Sequence, residues 1–403
     1  MNVAPDLAIS AAELERRLAG LDAVGTGPDG VTRLAWSPQL AAAERWFGEQ
    51  AAQLGLRVQR DGAGSLWACP DTAPPWWATG SHLDSVRRGG RYDGPLGVAA
   101  AFAAAARCPS SVAVIAFADE EGARFGVPCA GSRLMNGGLD PDRARSLPDT
   151  DGTTMAEAMS TAGHDPSHLG RDDKMLSRIG TFVELHVEQG RGLVDLDAPV
   201  GVASSIRAHG RWRLDLPGEA NHAGTTRLVD RDDPMLRLAA AVLAARDSAE
   251  QCAAVATIGK VHIHPGGTNA IPSLVRAWLD ARGEDEQSVR RVVAAAGEAA
   301  GAEPVEESWS PEVTFGRELR EHVAGLFGDA PVLATGAGHD AGVLAGAGVR
   351  AAMLFVRNPT GVSHSPAEHA ETDDCLAGVE ALAAVLTDLL GAETNAATTA
   401  RTP

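Results

Sequence analysis

The chain has 403 residues, 44% of them hydrophobic and 22% charged, enough for a large core and for more than one domain. Its 35 Lys+Arg against 53 Asp+Glu leave a net charge of −18, which repels phosphate backbones and anionic membrane surfaces and argues against nucleic acid and membrane as partners. No stretch offers about 20 uninterrupted apolar residues, the opening MNVAPDLAISAAELERRL lacks a basic run followed by an apolar one, and the cysteines (Cys69, Cys108, Cys129, Cys252, Cys375) form no C-x-x-C pair; the expectation is a cytoplasmic protein with reduced thiols.

Residues 37–54 begin with Ser-Pro and carry apolar residues at helical spacing, and LGLRVQRDGAGSLWA then alternates like a strand with a turn. WWATGSHLDSV reads as a buried strand ending in a polar loop, PLGVAAAFAAAARC as a small-residue helix, and SVAVIAFADEEG as a second buried strand with acids at its end. This alternation predicts an α/β domain, a mixed, mostly parallel sheet with helices on both faces. Ligands of such sheets gather beyond the carboxyl ends of the strands, where His82, Asp93, Glu120, Glu121 and His186 would all fall. Between residues 208 and 317 the pattern changes to antiparallel-type strands (RWRLDLPGEANHAG, AAVATIGKVHIHP) and amphipathic helices, an α+β insert. From 318 to 391 the earlier style resumes, so residues 1–207 and 318–391 are expected to form one discontinuous domain, and the polar tail 392–403 is expected to be disordered.

Four clusters carry chemistry. In GSHLDSVRRGGRYDGPLG, His82 can offer an imidazole ligand with Asp84 behind it, and Asp93 in a glycine-rich loop can bridge two cations. In FADEEGARFG three acids end an apolar strand; neighbouring glutamates reach one site only if the chain turns, which Gly122 permits. TFVELHVEQGRGL puts His186 and Glu188 on one strand face with Gln189 at its end, and GVSHSPAEHAE places His364 in a loop after a strand. Each cluster alone is more simply a solvated turn or a packed histidine. Together His82, Asp93, Glu121, His186 and His364 supply two ligands per cation with one shared bridge.

The ordered series GSHLDSVRRGGRYDGPLG, FADEEGARFG, ELHVEQG, GEANHAGTT, GGTNAIPS, GAGHDA and GVSHSPAE resembles the allantoate amidohydrolase and N-carbamoyl-L-amino-acid hydrolase branch of the zinc-aminoacylase and carboxypeptidase-like metallopeptidase superfamily. The resemblance implies a two-metal catalytic domain interrupted by an α+β, ferredoxin-like lid domain over 208–317 that mediates homodimerisation. By position it implies metal ligation by His82, Asp93, Glu121, His186 and His364, with Asp93 bridging, Glu120 as general base and Asp84 orienting His82. His222 matches a lid histidine that stabilises the oxyanion, in its own subunit or across the dimer. Arg282 matches an arginine that forks onto the substrate carboxylate, Asn269 and Gln189 match polar substrate contacts, and Arg211 matches a further anchor less closely.

The implied substrate is a small ureido carboxylate. The implied cofactors are two divalent ions per subunit, zinc or manganese, with cobalt and nickel also accepted by such donors. Two departures lie near the expected site: Arg227 replaces a proline in GTTRLVDRDD, and Arg357 and Asn358 replace a Pro-Ser pair. Competing readings are an aminoacylase or dipeptidase with the same metals and base, and a non-catalytic binding homologue; the latter should have lost a ligand or the base, and this chain keeps them all.

Overall fold

The computed structural model describes residues 9–108, 111–328 and 330–399, and side chains as far as residue 391. Two compact units emerge. The first runs to Ser204, returns for Thr314–Leu333 and continues from Gly338; the second comprises Ser205–Val313 and Ala334–Ala337.

In the first unit, α1 (Ala11–Asp22) and α2 (Pro38–Gln53) both start at serine caps: Ser10 accepts from Glu13 N and Ser37 from Leu40 N, with Pro38 suited to the first turn. Strands β1 (Arg57–Arg60), β2 (Leu66–Cys69) and β3 (Trp76–His82) follow, then α3 (Pro95–Ala105), β4 (Val112–Phe117), α4 (Ala130–Asn136), β5 (Ile179–Val187) and β6 (Val200–Ile206). The second unit contributes β7 (Ala208–Pro217), α5 (Pro234–Gln251), β8 (Val255–His264), β9 (Leu274–Gly283), α6 (Glu286–Ala300) and β10 (Val305–Ser310). The first unit closes with α7 (Asp340–Gly346), β11 (Arg350–Val356) and α8 (Thr372–Thr399).

The first unit's sheet has the order β1-β2-β4-β3-β5-β11-β6, with two short strands paired to β6 at the end opposite β1. Its four central strands β4, β3, β5 and β11 are parallel; β1, β2 and β6 run antiparallel to their neighbours. The central strands are buried on both sides, as their unbroken apolar runs require. Adjacent residues of β5 separate the helix layers: Leu185 joins a core with Leu96 and Phe102 of α3 and Val379 and Leu382 of α8, while Glu184 accepts a hydrogen bond from Ala341 N of α7. The helix α3 is buried along its whole length, which its alanine-rich sequence allows.

The second unit is an antiparallel sheet β8-β9-β7-β10 with α5 and α6 over one face. Alternation is clean: Trp212, Leu214, Val275, Ala277 and Leu279 are buried under the helices, and Arg211, Arg213, Asp215, Arg276, Asp280 and Arg282 occupy the other face. Periodicity had placed this insert at 208–317. The observed unit is Ser205–Val313 with Ala334–Ala337, residues 314–317 falling in the first unit; Ala334–Ala337 join it because Thr335 O accepts from Arg207 N and Gly336 O from Arg282. The closing helix continues to Thr399, so the disordered tail expected from residue 392 is helical backbone that far; residues 400–403 lie outside the described residues.

Candidate metal centre and active site

The parallel strands bring four clusters to one edge of the sheet. His82 ends β3, His186 lies one residue from the end of β5, Asp119–Glu121 follow β4, and His364 lies in the loop after β11. The His82 and His186 rings stack with centroids 5.8 Å apart. His82 Nδ1–H donates to Asp84 O (3.0 Å) and His186 Nδ1–H to Val187 O (2.9 Å), which fixes both tautomers and leaves each Nε2 bare. These nitrogens lie 3.5 and 3.2 Å from Asp93 Oδ1, are buried, and make no hydrogen bond.

Asp93 occupies the turn before α3, where Gly94 has φ +84°, and a Cβ at Gly94 would stand 2.4–2.6 Å from the His82 ring. Only glycine lets the carboxylate approach both imidazoles. The other oxygen, Oδ2, accepts from Gln189 Nε2 (2.9 Å) and Ser363 Oγ (3.1 Å) and lies 3.5 Å from His364 Nε2, itself 3.3 Å from Glu121 Oε2. Two donor triplets result, His82–Asp93–His186, fully buried, and Asp93–Glu121–His364, open to solvent at His364, with Asp93 common to both.

The donor set fits a pair of divalent ions. Buried Nε2 atoms without hydrogen-bond partners, and an equally orphaned Glu121 Oε1, are electron pairs that protein neighbours leave unused. The electrostatics point the same way. Burial pushes Glu120 and Glu121 well above the usual carboxylate range, reinforced by Asp340 at the first and Asp93 at the second. Burial also opposes charge on Asp93, yet His186 and His82 hold it well below that range. Burial pulls His82 down, but Glu120, Asp93 and Asp84 outweigh it and raise it well above an ordinary imidazole. So many acids in one dry pocket demand positive charge, which cations can supply as well as protons.

The structure shows the contacts of several residues singled out from sequence. The contact that orients His82 comes from the main-chain carbonyl of Asp84; its carboxylate is 3.7 Å from Nδ1 and instead accepts from Glu120 N (3.2 Å) and Glu121 N (3.1 Å), fastening the glutamate turn. That turn begins at Asp119, in the left-handed region at φ +50°, before Gly122 at φ +58°. Gln189, expected at the substrate, donates one of its two amide N–H groups to Asp93. Glu188, beside His186 in the strand pattern, caps the following helix by accepting from Gly192 N and Leu193 N.

Glu120 is buried, with Oε2 3.8 Å from His82 Nε2 and Oε1 accepting from the Cys129 thiol at 3.4 Å. Sequence reasoning missed Cys129, Ser363 and Glu368, whose carboxylate accepts from Tyr92 N and Asp93 N and so pins the bridging residue's loop. Glu368 stands four residues after His364 in the motif, the one signal that could have found it.

Within the second unit His222 and Asn269 meet on a two-stranded ladder: His222 pairs with Ala270, and Ala223 N donates to Asn269 O. His222 is exposed, its Nδ1 accepting from Gly224 N, and Arg231 braces the loop through Thr226 O and Ala223 O. Arg211 and Arg282 converge on Asp280. Both departures from the family pattern are absorbed locally. Arg227 has φ −62°, the angle a proline would impose, and pairs with Asp230. Arg357 forks onto Asp374, and the buried Asn358 ties its loop through Thr360, Gly361 and Val362.

The sequence matches the model of peptidase family M20/M25/M40 over residues 71–388. It is 35% identical to N-carbamoyl-L-amino acid amidohydrolase of Geobacillus stearothermophilus, over 93% of this chain and 97% of that one. It is 31% identical to allantoate amidohydrolase of Escherichia coli, again over 93% and 97%. Among solved structures, a hydantoinase/carbamoylase family amidase from Burkholderia vietnamiensis superposes with a TM-score of 0.85 at 26% identity, covering 96% of this chain and 98% of that one.

Proposed function

The chain belongs to peptidase family M20/M25/M40, and from that premise we propose that it is a two-metal amidohydrolase cleaving the ureido C–N bond of allantoate or an N-carbamoyl-L-amino acid. The observation that carries this reading is the pair of donor triplets sharing Asp93 at the strand ends. In it His82 and His186 would hold one cation and Glu121 and His364 the other, with Asp93 offered to both. Two zinc or manganese ions bound there, or cobalt or nickel, would supply a water of lowered pKa and polarise the scissile carbonyl.

The protein's own groups do the rest. Glu120 takes a proton from the attacking water at a carboxylate oxygen and returns it to the leaving nitrogen. Its burial and acidic neighbours raise its proton affinity, which suits a group that must accept and then release a proton. Asp84 holds Glu120 and Glu121 in place through their main-chain N–H groups. His222 donates to the oxyanion of the tetrahedral intermediate, Arg282 receives the substrate carboxylate, and Asn269, Arg211 and Gln189 complete its polar contacts.

The second unit also supports homodimerisation. Strand β8 is the free edge of its sheet with Val255, Val261 and Ile263 exposed, and α5 exposes Leu236, Val242 and Leu243. Among the described residues no helix is long and apolar enough to cross a membrane. The five cysteines are unbridged, which fits the reducing cytoplasm.

The test is ammonia release from allantoate and N-carbamoyl-L-amino acids, set beside release of free amino acid from N-acetyl amino acids and dipeptides, run on protein stripped by chelator and reloaded with each metal. Turnover of ureido substrates that is lost on stripping and restored on reloading supports the reading. Equal turnover by the chelated protein, or turnover of the acetyl or peptide substrates alone, refutes it.

A further inference from the structure

Residues ahead of the matched family region, which begins at residue 71, reach the loops that follow His82, precede Asp93 and carry Glu120 and Glu121. The carboxylates of Asp22 and Glu15 on α1 hold Arg91, two residues before Asp93: its Nε–H donates to Asp22 at 2.9 and 3.0 Å and Nη2 to Glu15 at 2.8 Å. Ala35 O accepts from Arg124 Nη1 at 2.8 Å, three residues past Glu121, and Trp36 packs on Phe125 with ring centroids 5.6 Å apart. In the same segment lies Arg33, 1% exposed.

Arg33 joins α1 to the residue between His82 and Asp84. Its Nε–H donates to Leu83 O at 2.8 Å, and Nη1 donates to Val24 O at 3.1 Å and Leu21 O at 3.4 Å, at the carbonyl end of α1. Its main chain grips the other side of Asp84: Arg33 N–H donates to Ser85 Oγ (2.9 Å) and Ser85 N–H to Arg33 O (3.0 Å). Asp84 is the residue whose carbonyl orients His82 and whose carboxylate holds the Glu120 and Glu121 N–H groups. The guanidinium's acceptors are all main-chain carbonyls, and its buried Nη2 makes no hydrogen bond. Burial lowers it to about 10 while Asp84 and Asp22 pull it back up, so it stays charged at neutral pH. An apolar side chain would fill this space without the cost of burying an ion, so packing alone does not account for an arginine here.

We propose that Arg33 is a positioning residue of the metal centre: anchored on the carbonyl end of α1, it fixes Leu83 and Ser85 and so sets Asp84 for its two tasks. The inference rests on the reading of His82 and Glu121 as metal ligands and Glu120 as base. Arg33 acts through Leu83, Ser85 and Asp84 rather than by touching a ligand. Without its side chain the Leu83 carbonyl loses its donor, and the His82 imidazole and the glutamate turn lose their common support together.

The experiment compares wild type, Arg33→Met, Arg33→Lys and Leu18→Ala, a control that opens a cavity under α1. Competition with a chromophoric chelator gives zinc affinities, the visible spectrum of cobalt-loaded protein reports the coordination geometry, and kcat and KM are measured with N-carbamoyl-L-alanine. Arg33→Met should bind zinc about 10–100-fold more weakly, alter the cobalt spectrum, and lose kcat by a similar factor with KM within about twofold. Arg33→Lys keeps the charge and a donor and should fall between wild type and Arg33→Met. Leu18→Ala should unfold at lower temperature yet keep the wild-type affinity and spectrum, which separates positioning from stability.

Wild-type affinity and spectrum in Arg33→Met overturn the proposal, as does an equal loss in Leu18→Ala. Should Arg33→Met not fold, Arg33→Lys decides: weaker zinc binding with a changed spectrum supports the proposal, and wild-type values overturn it. A wild type that binds two ions but hydrolyses no ureido compound sinks the functional reading alone, and the affinities and spectra still judge Arg33. A wild type that binds no divalent ion sinks both.

Discussion

Replacing Glu120 by glutamine changes one oxygen for an amide nitrogen in a buried pocket and alters little else. The Oε1 contact with the Cys129 thiol can be kept by the amide oxygen, and the main-chain N–H of residue 120 still donates to Asp84. What disappears is the proton acceptor. A positioned general acid–base group contributes about 10²–10⁴-fold to rate. At about 1.36 kcal/mol per tenfold, that is roughly 2.7–5.5 kcal/mol of transition-state stabilisation. Stability should move the other way in the metal-free protein. Burial raises the Glu120 pKa above its unfolded value, so the ionised carboxylate opposes folding at high pH, and that penalty fades as pH falls through the raised value toward the ordinary one. A neutral amide never incurs it, so metal-free Glu120→Gln should unfold no earlier than metal-free wild type at neutral pH. The assays are ammonia release from N-carbamoyl-L-alanine, elemental analysis for bound metal, and thermal unfolding. Full metal content with kcat within threefold of wild type would refute Glu120 as the base.

The metal reading predicts unequal losses: Asp93→Asn should empty both positions and His364→Ala only one, as counted by elemental analysis after dialysis, and equal losses would contradict the shared-bridge arrangement. His222→Ala should lower kcat by roughly 10²–10³, as for loss of one oxyanion donor, while the unfolding temperature stays put because the side chain is exposed. Elsewhere in the first unit, burial raises Asp61 to about 6 despite hydrogen bonds from Trp67, Ser65 and Ala63. Its folded pKa lies above the unfolded 3.8, so its contribution to stability is greatest below about pH 4 and declines by about 3 kcal/mol as pH rises to about 6. Asp61→Asn sets an amide N–H against Trp67 Nε1–H and should be less stable throughout, but urea denaturation between pH 4.5 and 7 should lack that slope.

The sequence by itself determined which segments are strands buried on both faces, because only runs such as WWATG, VAVIAF and MLFV can occupy the middle of a covered parallel sheet. Acids and histidines at or just after such runs must lie at the strands' carboxyl ends, so His82, Glu120, Glu121 and His186 could be gathered before any fold was known, with His364 in the loop after MLFV. The alternation of β7 and β9 likewise separated the arginines of the second unit from its core.

Only the tertiary structure decided what those residues touch. Gln189 meets Asp93 across 96 positions, Ser363 meets it across 270, and Glu368 meets Tyr92 across 276, distances over which no local period carries information. The same limit hid the division of labour within Asp84, whose carbonyl serves His82 while its carboxylate serves the glutamate turn. It also hid the passage of Ala334–Ala337 into the second unit and the partnership of Arg211 with Arg282 at Asp280. Periodicity reports the face on which a side chain lies; closure of the chain chooses the neighbour waiting there, and at this site the neighbours set the charge.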